Sequence, residues 1–165
     1  MSEVLAYFIT WTCYGTWLPG DDRGSVFGKS RSPEPYETPN RGLHLHSRKL
    51  LEGEPLILNR EMRAVVHRAI EDHCDFRGWR LLALNVRSNH VHVVVVSDIK
   101  PELVMSQFKS WATRRLRESS LTDGESTVWT KHGSTRYLTS NFALKRTIQY
   151  TLEEQDSRDG HPDSG

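Results

Sequence analysis

The stretch WRLLALNVRSNHVHVVVVS, Trp79 to Ser97, limits the fold of this chain more than any other segment. Two strand-like runs rich in Leu and Val are separated only by Ser88 and Asn89, the signature of a tight β-hairpin. From Val93 onward the second run is apolar at every position, so both of its faces need covering. A strand of that kind belongs in the middle of a sheet. The rest of the chain must therefore supply more strands beside it and helices over it.

The flanking segments supply both. VLAYFITWTCY, Val4 to Tyr14, is β-branched and aromatic and predicts a strand. After Asn59, a plausible N-cap, Met62, Val65, Val66, Ala69, Ile70 and Cys74 recur at helical spacing until Gly78 stops them. Pro101 opens a second helix whose apolar stripe is Val104, Phe108, Trp111, Ala112 and Leu116. A turn-rich SSLTDGES leads to a fourth strand, TVWTKHGSTRYL, with a break expected at His132–Gly133. SNFALKRTIQYTLEEQ predicts a last helix. The order β-α-β-β-α-β plus a C-terminal helix predicts an α+β, ferredoxin-like split βαβ fold: a four-stranded antiparallel sheet with two helices on one face. The other face is left for the last helix or a ligand to cover.

At 165 residues the chain suits one core, expected over residues 1–155. Within it, a Gly-, Pro- and Ser-rich loop is expected over about 15–42, and residues 156–165 read as a frayed tail. A composition 36% hydrophobic and 26% charged is that of a globular, water-soluble chain. No apolar run is long enough to span a membrane, and no basic, then apolar leader opens the sequence. Two cysteines make no disulfide framework, so a reducing, cytoplasmic setting is expected. A net charge of +1 neither demands nor excludes nucleic acid.

His90 and His92 begin the valine strand. Residues two apart on a strand share a face, with bases roughly 6–7 Å apart, so two imidazoles so placed can converge on one divalent cation. Their plain alternative is a partly buried pair hydrogen-bonded to neighbours. His44 and His46 in GLHLHS repeat the spacing without a long apolar strand to hold them, so metal binding is not expected there.

On the last helix the apolar stripe is expected to be Leu144, Ile148 and Leu152, and Tyr150 lies about 160° from its centre. Glu154, one turn further on, shares its face. Facing the open side of the sheet, these residues form one expected site: His90, His92 and Glu154 as metal ligands, Tyr150 as nucleophile. A phenol, with a pKa of about 10, is a poor nucleophile until it is deprotonated or held in line. A divalent ion gripping phosphodiester oxygens withdraws charge and orients the bond for displacement. Tyrosine attack then leaves a covalent phosphotyrosine. No HExxH occurs, and oxygen-rich phosphates favour Mg²⁺ or Mn²⁺ over zinc. Taken alone, Tyr150 also reads as an exposed aromatic on an amphipathic helix.

With HVH and IQYTLEEQ in this order, and with TWTCYGTWLPGD and WTKHGSTRYL, the chain resembles the single-tyrosine HUH transposases of bacterial insertion sequences. The similar sequences include relatives associated with repetitive extragenic palindromes. The resemblance spans about Tyr7 to Gln155. It implies a ferredoxin-like fold, a divalent metal on His90 and His92, and cleavage of hairpin-flanked single-stranded DNA by Tyr150. The implied products are a 5′-phosphotyrosine and a free 3′-hydroxyl. A polar residue one turn after the tyrosine completes the metal site in similar enzymes; here that is Glu154, with Glu153 and Gln155 as alternatives beside it. Similar transposases work as homodimers, often with a tyrosine helix serving the partner's histidines, while domesticated relatives can be monomeric, and both states stay open.

Lys109, Arg114, Arg115 and Arg117 on the second helix, Lys131 and Arg136 on the last strand, and Lys145 and Arg146 on the tyrosine helix are candidate contacts to DNA phosphates. Each reads equally as part of a solvated face. Trp17 and Phe27 in the long loop offer rings for stacking on unpaired bases or for folding that loop onto the body. Two other functions compete: a non-catalytic ferredoxin-like nucleic-acid-binding module, and a replication or conjugation initiator. The first would carry aromatics where this sheet carries histidines; the accessory domains of the second have no room in this length.

Overall fold

A computed structural model of the protein describes residues 3–16 and 55–153. Seven elements follow one another: β1 (Ala6–Cys13), α1 (Arg60–Arg77), β2 (Arg80–Val86), β3 (His90–Val96), α2 (Pro101–Glu118), β4 (Trp129–Leu138) and α3 (Asn141–Glu153). The four strands form one antiparallel sheet in the order β2-β3-β1-β4. This is the ferredoxin-like arrangement that the element order predicts, with the valine strand in a central position.

Local chemistry sets the ends of the helices. The Asn59 side chain accepts from the Met62 backbone N–H at 2.8 Å, and Gly78 ends α1 in the left-handed region at φ 76°. Pro101 starts α2, where its missing N–H costs no helical bond. The Ser140 hydroxyl caps α3 by accepting from the Ala143 N–H at 3.0 Å. At the other end of the domain, the chain leaves β1 through Gly15 (φ 87°) and re-enters at Pro55. The Leu56 N–H donates to the Tyr14 carbonyl there, so the described ends of the long connection lie side by side.

The two faces of the sheet carry very different cores. On one, Ile9, Trp11 and Cys13 of β1 and Val91, Val93 and Val95 of β3 pack under α1 and α2 through Val66, Ile70, Val104 and Phe108. Side chains buried as fully as Ile9 and Phe108 contribute about 1.5–3 kcal/mol each. On the other face, α3 covers a small cluster of Ala6, Ala83, Val94 and Leu138, with Leu144 and Ile148 packed against it. Cys13 and Cys74 are both buried free thiols, pushed up to about 12 by burial.

Three details depart from the sequence reading. First, β4 is not broken at His132–Gly133. It runs from Trp129 to Leu138 and absorbs the irregularity as a register shift against β1 between Trp11 and Cys13. The Lys109 ammonium holds that shift by donating to the carbonyls of Thr130, Lys131 and His132 at 2.9, 3.5 and 3.3 Å. Gly133 is needed because an added Cβ would meet the Met105 sulfur at 2.5 Å and the Thr10 carbonyl oxygen at 2.7 Å.

Second, the face that α3 turns to the sheet is Leu144, Thr147, Ile148 and Thr151, the threonines buried and the other two partly so, not the Leu144, Ile148 and Leu152 that hydropathy selects. Leu152 is 58% exposed. The two threonines are small enough to approach the sheet closely, and they rotate the helix toward themselves. Third, β2 carries a bulge between Leu81 and Ala83, which sets Asn85 opposite His92.

His44, His46, Trp17, Phe27, Glu154, Gln155, most of the 15–42 loop and the 156–165 tail lie outside the described residues. Among the described residues no helix is long and apolar enough to cross a membrane.

Candidate active site

Strand alternation puts His90, His92 and Val94 on the face covered by α3, while Val91, Val93 and Val95 enter the main core. The two imidazole rings meet edge to face with centroids 4.7 Å apart. Each has its Nδ1 held. The Asn89 side-chain oxygen, an acceptor, lies 2.8 Å from Nδ1 of His90, which fixes the ring proton there and the lone pair on Nε2. Thr10 Oγ1 lies 3.0 Å from Nδ1 of His92, and Phe8 stacks on the same ring at 5.7 Å. Burial, with the Arg87 guanidinium as a smaller cause, lowers the His92 pKa to about 4, so this imidazole is neutral near pH 7.

Two imidazoles, side by side and each with a hydrogen-bond partner at Nδ1, suit a divalent cation as a pair of nitrogen ligands. Among the described residues no group of three or more His, Cys, Asp or Glu could hold a metal ion. Glu154 and Gln155 are outside those residues, and Glu153 is exposed, its Oε2 accepting from Gln149.

Tyr150 reaches this pair from α3. Its ring lies edge-on to His92 at 5.7 Å and to Phe8 at 6.3 Å, and it is 52% exposed. Measured against the observed buried stripe, Tyr150 is about 110° from the middle of that stripe rather than 160°. It therefore stands at the edge of the helix–sheet contact instead of pointing away from it. Tyr137 lies on the opposite face, packed against Tyr7 at 5.4 Å. Phe8, Thr10, Asn85 and Asn89 were not singled out from sequence. Strand parity carried the signal for two of them: once His92 faces α3, its antiparallel neighbour Thr10 must face it too, and Phe8 with it.

The eight candidate DNA cations do not share one face of the sheet. Lys109, Arg114, Arg115 and Arg117 all sit on α2, in the layer across the sheet from the histidines. Burial lowers the Lys109 pKa to about 8, and its ammonium is spent on β4 carbonyls. Arg115 pairs with Asp72 at 3.0 Å, Arg114 with Glu118 at 3.2 Å, and Arg117 donates to the Ser126 carbonyl. Lys131 is exposed beside the β4 irregularity. By contrast, Arg136 lies on the histidine face with its guanidinium 5.4 Å from the Phe8 ring centroid. Arg146 stands one helical turn before Tyr150, over Phe142, and Lys145 is exposed beside it.

Fold and site together define an α+β protein in which a central strand presents paired histidines to a tyrosine-bearing helix. The model of the family described as "Transposase IS200 like" matches residues 48–150, well over half of the chain and all of the span from β2 to Tyr150. The chain belongs to this IS200-like transposase family. Among solved structures it is similar to a REP-associated tyrosine transposase bound to a REP hairpin, at 9% identity and a TM-score of 0.46. That match covers 92% of this chain and 66%, just under two thirds, of the other. It is also similar to a candidate transposase from Deinococcus radiodurans R1, at 16% identity and a TM-score of 0.46, covering 91% and 90% of the two chains. No curated protein matches the sequence.

Proposed function

We propose that the protein is a metal-dependent single-stranded DNA endonuclease and strand-transferase in transposition, with Tyr150 as nucleophile. The observation that carries this reading is the placement of Tyr150 edge-on to His92, 5.7 Å away, on the face where His90 and His92 adjoin. Residues from β3 and α3, separated by most of the family-matched span, meet there in one chain. Membership of the family supports the reaction class.

The chain's own groups divide the work. His90 and His92 would hold a divalent cation, Mg²⁺ or Mn²⁺, with Glu154 as the proposed third ligand. When bound, that ion would draw charge from the non-bridging oxygens of a phosphodiester. Asn89 and Thr10 hold the two rings in the ligating orientation. Tyr150, half-exposed, presents its hydroxyl to DNA arriving from solvent. Its oxygen forms a bond to phosphorus as the bond to the 3′ oxygen breaks. The phenolic proton passes to solvent, and the departing oxygen takes up a proton to become a 3′-hydroxyl. The 5′ phosphate stays on Tyr150, so attack by another 3′-hydroxyl rejoins DNA without external energy. Hairpin-flanked single-stranded DNA is the proposed substrate, and Arg136, Lys145 and Arg146 are its proposed phosphate contacts.

The test is incubation with single-stranded hairpin oligonucleotides and Mn²⁺, followed by denaturing electrophoresis. A covalent adduct is expected with the wild type and none with Tyr150→Phe or His90→Ala/His92→Ala. An adduct that survives Tyr150→Phe and disappears with Tyr137→Phe overturns the nucleophile assignment. Tight DNA binding without any adduct favours the non-catalytic binding module.

A further inference from the structure

We propose that Asn85 is a positioning residue that fixes the tyrosine helix over the histidines. This rests on the reading of Tyr150 as nucleophile. Asn85 stands directly opposite His92 in the β2–β3 pairing, on the strand that does not carry the histidines. Its Nδ2 donates to the Thr151 carbonyl oxygen at 2.8 Å, across 66 residues of sequence. Thr151 follows Tyr150 directly in α3, so the bond ends on the turn that carries the nucleophile. Asn85 thus ties the sheet to the turn that holds the nucleophile.

The orientation of the amide is itself set. Arg87 Nη1 donates to Asn85 Oδ1 at 3.2 Å, so the oxygen faces Arg87 and the nitrogen faces the helix. The tie also carries more weight here than the same bond would elsewhere. α3 docks on the small cluster of Ala6, Ala83, Val94 and Leu138, and its own buried residues are two threonines. The apolar residues of α3 in this contact, Ala143, Leu144 and Ile148, all precede Tyr150, so a directed hydrogen bond at Thr151 fixes where the turn after them rests. Since Asn85 and His92 are cross-strand partners, the amide links the position of the metal-ligand strand to that of Tyr150. A small displacement of a nucleophile from its in-line position lowers the rate while leaving substrate binding intact.

The experiment compares the wild type with Asn85→Asp and Asn85→Ala. The aspartate keeps the shape and the acceptor for Arg87 and removes the donor to Thr151. Two readouts are taken: hydrogen exchange of the metal-free, DNA-free protein, and single-turnover adduct formation with a hairpin oligonucleotide and Mn²⁺. Amides of residues 150–153 should exchange faster in both variants while the four strands stay protected. Adduct formation should slow at least about tenfold in both variants, with the DNA and Mn²⁺ affinities of Asn85→Ala within about twofold of wild type. Unchanged exchange at 150–153, a wild-type adduct rate in Asn85→Asp, or loss of protection across the whole sheet overturns the proposal. Absence of an adduct with the wild type would instead overturn the assigned reaction, and the exchange comparison would still decide whether Asn85 holds the helix.

Discussion

Thr10 and His92 are cross-strand partners in β1 and β3, and the threonine hydroxyl lies 3.0 Å from Nδ1 of the imidazole. With Nδ1–H donating to the threonine oxygen, the lone pair stays on Nε2, which is what a metal ligand requires. Thr10→Val keeps the shape and removes the hydroxyl, so Mn²⁺ affinity measured by calorimetry should fall by about tenfold or more. Thr10→Ser should retain it. Equal affinity in Thr10→Val would show that the hydroxyl does not orient this ring.

The depressed pKa of His92 makes stability depend on pH in a definite direction. Its folded value of about 4 lies below the ordinary 6.5, with burial as the main cause and Arg87 second. Between these values the unfolded chain binds the extra proton, so stability falls as pH drops through that window and levels off below about 4. The full loss is on the order of 3 kcal/mol for the metal-free protein. Urea denaturation from pH 7 to 4 checks this, and His92→Gln should flatten the dependence. A His92→Gln profile as steep as wild type assigns the effect to another group.

Position relative to the histidine face should sort the eight cations. Arg136→Ala and Arg146→Ala are expected to weaken binding of single-stranded DNA and to reduce the salt dependence by about one unit of slope each. Arg115→Ala and Lys109→Met should leave that slope alone and reduce folding stability instead, since Arg115 pairs with Asp72 and Lys109 with three carbonyls. Fluorescence titration over a range of salt concentrations separates the two groups. A slope change confined to the α2 residues would place the DNA on the other side of the sheet.

The rotation of α3 gives a test by stability alone. The Thr151 hydroxyl is buried without a hydrogen-bond partner among the described residues, so Thr151→Val should be neutral or stabilise by up to about 1 kcal/mol. Leu152→Ala should cost less than about 1 kcal/mol, because the side chain is 58% exposed. A loss of several kcal/mol at Leu152 would restore the stripe that hydropathy alone selects.

Long, regular patterns were legible in the sequence. The valine strand, the Asn59 and Gly78 caps, the Pro101 helix start and the order of elements all follow from local chemistry that tertiary context does not override. The histidine pair and Tyr150 were legible as types at a spacing. What escaped was decided by packing. Nothing in the one-letter pattern says that Thr147 and Thr151 should outrank Leu152 for a place against the sheet; that follows from how closely the helix approaches. Thr10, Asn85 and Asn89 are ordinary strand and turn residues until their register partners are known. The cations of α2 form a local excess of charge in the sequence, but Asp72 and the β4 carbonyls that engage Arg115 and Lys109 lie far along the chain; only Glu118, four residues after Arg114 on the same helix, is legible beside them.

The bulge in β2 does more than bend a strand. Leu81, Leu84 and Val86 all pack toward the main core, yet Leu81 has the opposite parity to the other two. A regular strand would have to give up either Leu81 to the α3 face or Leu84 and Val86, and Asn85 would then point into the core. The one extra residue at Leu82 resets the phase, so both ends of the strand satisfy the core while Asn85 stays beside His92. The domain therefore counts residues at this point. Shortening β2 by a single residue would turn one alternation against the other, setting the demands of folding against the geometry of the site.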